Sequence, residues 1–132
     1  MTYGLAMPVT GSCHCGAVRI EVPGAPEWVA SCNCSICTKL GTLMAYYPDD
    51  GGVKIRGETA PYIWGDRMIA TRHCPVCACI THWESTGESY GKVGVNARLL
   101  DGFAMAKGED GRAAYLFDGA PLEVRVLDNA GN

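Results

Sequence analysis

Three thiols lie within six residues at Cys32-Asn33-Cys34-Ser35-Ile36-Cys37, and the other five cysteines fall in two further tight motifs, Cys13-His14-Cys15 and Cys74-Pro75-Val76-Cys77-Ala78-Cys79. Closely spaced cysteines in an intracellular protein point to metal binding or catalysis, because a reducing cytosol disfavours disulfides. The first ten residues, Met1 to Thr10, carry no basic residue and no long apolar run, so no export signal is expected there. The cysteines are therefore read as metal ligands, and the fold has to bring them together.

Structural zinc takes four protein ligands and is closed, whereas catalytic zinc keeps three and leaves a position for water or substrate. Cys13 with Cys15 and Cys74 with Cys77 form two knuckles, which together complete one closed site and tie two distant parts of the chain. Cys32, Cys34 and Cys37 then form a second set, read as a metal site with an open position. Cys79 is left over. It is a small buried hydrophobe, a fourth ligand to the second ion, or a substitute for Cys77 in the first. Four-thiolate geometry admits iron as well as zinc.

Seventeen glycines and seven prolines separate short apolar segments, a pattern of many strands joined by turns. Val18, Ile20 and Val22 alternate with Arg19 and Glu21, which predicts a strand with one buried face. Strands are also expected at residues 42–47, 53–57, 80–84, 90–97 and 122–126, with a hairpin turning at Gly65-Asp66 between 62–64 and 68–72, while Trp28-Val29-Ala30-Ser31 carries the chain into the three-cysteine cluster. The helical turn of note is expected at roughly Ser35 to Leu40, and Arg98-Leu99-Leu100-Asp101 reads as a turn or short helix. With 132 residues and 48% hydrophobic composition, residues 11–132 are read as a single mostly β domain behind an N-terminal tail of residues 1–10.

Formal net charge is -3, with no basic surplus to neutralise phosphates, so nucleic acid is not an expected partner. No stretch reaches the apolar length that spans a bilayer. A soluble cytoplasmic protein is expected.

The chain resembles the glutathione-dependent formaldehyde-activating enzymes and their centromere protein V relatives. The matching residues are Gly11-Ser12-Cys13-His14-Cys15-Gly16-Ala17-Val18, Cys32 to Cys37, Cys74-Pro75-Val76-Cys77-Ala78 and the looser Gly94-Val95-Asn96-Ala97-Arg98-Leu99-Leu100-Asp101. The resemblance implies an Mss4-like β-tent of short antiparallel strands and two zinc ions. Cys13, Cys15, Cys74 and Cys77 would hold a structural ion, and Cys32, Cys34 and Cys37 a catalytic one. Two positions depart from the family's pattern: Asn33 stands where His is common, and Ala78 where Gly is common.

The implied activity is that of a carbon–sulfur lyase run in reverse, joining glutathione to formaldehyde as S-(hydroxymethyl)glutathione synthase does. Glutathione carries two carboxylates, which makes Lys39 and Arg98 the candidate substrate-binding cations, with Arg72 a further one. Asn96 and Asp101 are candidates for the same segment or for turn caps. The alternative is a non-catalytic, zinc-stabilised binding module with both metal sites structural. A redox or metal-storage role for the three-thiol set is the remaining reading.

Overall fold

The computed structural model describes residues 7–131. The chain is mostly β, as its turn-rich pattern predicts. In chain order the strands are β1 Val9–Ser12, β2 Arg19–Val22, β3 Trp28–Cys32, β4 Met44–Pro48, β5 Lys54–Arg56, β6 Ala60–Ile63, β7 Ile69–His73, β8 Ile80–Ser85 and β9 Lys92–Asn96. They continue as β10 Phe103–Lys107, β11 Ala113–Phe117, β12 Ala120–Pro121 and β13 Glu123–Leu127. The single α-helix among the described residues, α1, spans Ser35–Leu40 as expected, and a 3-10 turn covers Ala97–Leu99. Of the stretch read as a tail, residues 1–6 lie outside the described residues, and Val9 and Thr10 begin β1.

The strands form a seven-stranded sheet in the order β13-β3-β4-β9-β8-β7-β6 and two three-stranded sheets, β1-β2-β5 and β10-β11-β12. Every pairing is antiparallel except β13 on β3, where Glu123 to Leu127 run parallel to Trp28 to Cys32. Alternation decides which face of the large sheet does what. Leu43, Ala45 and Tyr47 enter the core with Val93 and Val95, and Ile20 and Val22 of the small sheet pack against them. Tyr47 is fully buried, and its hydroxyl donates to Gly24 O at 2.9 Å, so its polar end costs nothing on burial. Fully burying a side chain such as Val22 or Val29 stabilises the fold by about 2 kcal/mol each.

The opposite face carries Trp28, Tyr46 and Trp83 in a row of edge-to-face contacts, with ring centroids 6.1 Å apart at each step. Trp83 lies against Gly94, where an added Cβ would collide with the indole nitrogen. Residues 28, 30 and 32 share this face, and it delivers Cys32 beyond the aromatic row. No helix among the described residues is long and apolar enough to cross a membrane.

Candidate metal centres

The first knuckle is the β1–β2 turn and the second is the β7–β8 turn. Cys13 N–H bonds Val18 O at 3.1 Å and Gly16 N–H bonds Cys13 O at 3.1 Å, with Gly16 at φ 82. In the second turn Ala78 N–H reaches Cys74 O and Cys74 N–H reaches Cys79 O, both at 2.9 Å. That closure puts Ala78 at φ 68, a left-handed conformation that Gly would adopt without strain.

These turns bring the sulfurs of Cys13, Cys15, Cys74 and Cys77 within 4.8 Å of one another. Cys13 Sγ lies 3.6 Å from Cys15 Sγ, and Cys15 Sγ lies 3.7 Å from Cys74 Sγ. A tetrahedron of sulfurs around zinc at its usual bond length has edges of about 3.8 Å. The set therefore fits one tetrahedral ion.

Backbone donors complete the cradle: Val18 N–H points to Cys13 Sγ at 3.3 Å, and Val76 and Cys77 N–H point to Cys74 Sγ at 3.4 and 3.5 Å. Such bonds favour thiolates. The backbone N–H groups of Cys15 and Cys79 hold Cys77 down to about 5.

The second set is built differently. Cys32 ends β3, Cys34 is the residue before α1, and Cys37 lies in the helix; their three sulfurs are again within 4.8 Å of one another. Cys34 N–H donates to Cys32 Sγ at 3.4 Å, and Gly41 at φ 69 closes the helix by donating to Cys37 O at 2.9 Å. Burial pushes the Cys32 thiol up, but Cys34 N–H, the Asn129 carboxamide and the two neighbouring thiols outweigh it, leaving the group below its ordinary value. Burial, then the neighbouring sulfurs of Cys34 and Cys32, push Cys37 up to about 12. Three such groups cannot all ionise without a cation among them, which is the electrostatic condition a bound metal satisfies.

Cys79 belongs beside the first set. It packs with Cys13, Val18 and Cys74, and His14 N–H is directed at its sulfur. It stands in neither sulfur group, so the second set comprises three cysteines.

Tyr46 stands close enough to the second set that, after burial, the charges of Cys32, Cys37 and Cys34 help push its phenol up to about 12. Thr42 precedes β4, and carrying the strand's alternation back by one step places it on the face of Met44 and Tyr46. Its hydroxyl is buried and has no hydrogen-bond partner among the described residues.

Lys39 is exposed in the last turn of α1. Arg98 reaches the same end of that helix, where its Nε donates to Gly41 O at 3.1 Å, and its guanidinium lies 5.7 Å from the Phe103 ring and 5.6 Å from the Tyr115 ring. Arg72 is engaged elsewhere, with Glu84 at 2.8 Å and Thr59 O at 3.4 Å. Asn96 caps the 3-10 turn by accepting from Arg98 N–H and donates to Ile80 O, and Asp101 accepts from Thr10 Oγ1. Both are occupied as caps and ties. His82 is buried, with Nδ1 2.9 Å from Thr81 Oγ1, and burial lowers its affinity for a proton.

Thr42 and Asn129 were not singled out by sequence reasoning. The sequence holds no signal for Asn129, whose contact with Cys32 spans 97 residues.

Folded-over β-sheets with sulfur groups at their turns and strand ends define the class: an Mss4-like β-tent protein with two candidate metal centres. The family model described as glutathione-dependent formaldehyde-activating enzyme matches residues 8–111, and the chain belongs to that family. A crystal structure of a Rhodobacter sphaeroides protein is similar, with 30% sequence identity and a TM-score of 0.61; the match covers 70% of this chain and 88% of that one.

Proposed function

We propose that the protein is a zinc-dependent carbon–sulfur lyase that makes and splits the adduct of glutathione with formaldehyde or a similar small aldehyde. Residues 11–132 are taken as the single unit that carries the activity. The observation that supports this most is the inequality of the two sulfur sets: four cysteines in one, three in the other, with Cys79 beside the first. In the addition direction the thiol loses its proton, the sulfur–carbon bond forms, and the carbonyl oxygen takes a proton to become the hydroxyl of the adduct. Cys32, Cys34 and Cys37 are assigned to hold a catalytic zinc, and Cys13, Cys15, Cys74 and Cys77 a structural one. Zinc at the three-cysteine set supplies charge that favours a thiolate or polarises an aldehyde oxygen.

The remaining roles fall to the chain's own groups. We assign the Thr42 hydroxyl, buried and without a hydrogen-bond partner among the described residues, as a donor to the oxygen that gains negative character. Tyr46, close enough to Cys32, Cys37 and Cys34 to feel their charge, is assigned to the wall of the site, with Trp28 packed against it. Lys39 and the outer nitrogens of Arg98, at the end of α1, are assigned to the glutathione carboxylates.

Exchange NMR on a glutathione and formaldehyde mixture tests this reading. Zinc-loaded protein is expected to speed exchange above the spontaneous rate, and Cys34→Ser to abolish the gain while the protein stays folded. Exchange no faster than the blank sinks this substrate pair.

A further inference from the structure

The parallel strand β13 ends beside Cys32, with Leu127 in register with it, and the chain that follows returns to Cys32 through Asn129. Asn33 N–H bonds Leu127 O at 3.1 Å, Asn33 Nδ2 donates to Asp128 Oδ1 at 3.0 Å, and Asn129 N–H donates to Asn33 Oδ1 at 2.7 Å. Ala130 N–H reaches Asp128 Oδ1 at 3.4 Å, which fixes the turn itself. So held, the Asn129 carboxamide donates from Nδ2 to Cys32 Sγ at 3.4 Å. A carboxamide suits position 33 because it gives and accepts a hydrogen bond at one end of one side chain. The family match ends at residue 111, so this contact comes from outside the matched stretch.

We propose that Asp128–Ala130 forms a latch over the three-cysteine set, with Asn129 as a positioning residue that holds Cys32 as a hydrogen-bonded thiolate and Asn33 as the catch. The proposal rests on the reading of that set as a metal site. An N–H donor on a thiolate stabilises its charge and restrains its sulfur, so the latch slows loss of the ion held there. Asn33 touches no sulfur through its side chain, yet it carries two of the bonds that place Asn129. The two asparagines therefore act as one unit, although they stand almost a chain length apart.

The test is release of zinc from the fully loaded protein to the chromogenic chelator 4-(2-pyridylazo)resorcinol, which resolves the two ions by rate. Asn129→Ala is expected to speed release of one ion about tenfold and leave the other unchanged. Asn129→Asp, which keeps the shape and sets an anion against the thiolate, speeds it further. Asn33→Ala reproduces the Asn129→Ala effect.

In the cobalt-loaded protein, both alanine variants shift part of the thiolate charge-transfer absorption to lower energy, because a sulfur without its donor gives up charge more readily. Unchanged release in either alanine variant overturns the latch, and so does equal acceleration of both ions, which marks a general loss of stability. A wild-type protein that binds one zinc overturns the metal reading and the latch with it. Selective acceleration in a protein without lyase activity upholds the latch and sinks the proposed function alone.

Discussion

At Thr42 a buried hydroxyl without a partner among the described residues carries a desolvation cost, and a methyl group of the same shape in its place removes that cost. Thr42→Val is therefore expected to melt no lower than the wild type, with a gain of up to about 1 kcal/mol. In the same protein, adduct exchange falls about a hundredfold, the lower end of what one hydrogen bond to developing charge is worth. Calorimetry and exchange NMR on one preparation check the pair, and lost stability would contradict an unspent hydroxyl. Ala78 gives an opposite kind of prediction. Its φ of 68 costs an L-residue about 1 kcal/mol, so Ala78→Gly raises stability by about that amount in zinc-loaded protein, read as a higher denaturation midpoint. The family resemblance marks Ala78 as standing where Gly is common, and the left-handed turn supplies the physical reason. Asn33 was visible as a departure too, but its consequence was not. Its side chain ties down residues 128 and 129.

At the scale of elements, the strands that read clearly are those with one buried face. Val18 to Val22 alternates because the β1-β2-β5 sheet buries one side only, and Ser35 to Leu40 reads as helical and is helical. The hairpin of β10 and β11 was missed because Phe103-Ala104-Met105-Ala106-Lys107 is largely exposed and carries no alternation. β13 was legible as a strand, but not its partner: alternation reports burial and is silent about direction. Gly94, in the middle of β9, is explained by a neighbour that only the assembled sheet reveals. An added Cβ would meet the Trp83 ring, so Gly94→Ala is expected to destabilise by about 2 kcal/mol or more through overpacking. Tryptophan emission should shift to the red as the indole is displaced. A variant with wild-type stability and emission would show that the ring has room to move.

For the whole molecule, the cysteine arithmetic was the most legible feature, because ligand spacing within a turn is a local property. The division into Cys13, Cys15, Cys74 and Cys77 against Cys32, Cys34 and Cys37 follows the two sulfur groups of the structure. The place of Cys79 was open in the sequence, since it lies two residues beyond Cys77 and a strand can turn its side chain either way. The fold puts it with Cys13, Val18 and Cys74, and the account of function depends on that placement.

The most direct test joins metal content and activity in Cys79→Ser, with zinc counted by native mass spectrometry and adduct exchange measured on the same sample. Two zinc ions and exchange close to the wild-type rate are predicted, because Cys79 is outside the three-cysteine set. Loss of one ion together with the exchange activity would make Cys79 a ligand of the reactive centre and contradict the account.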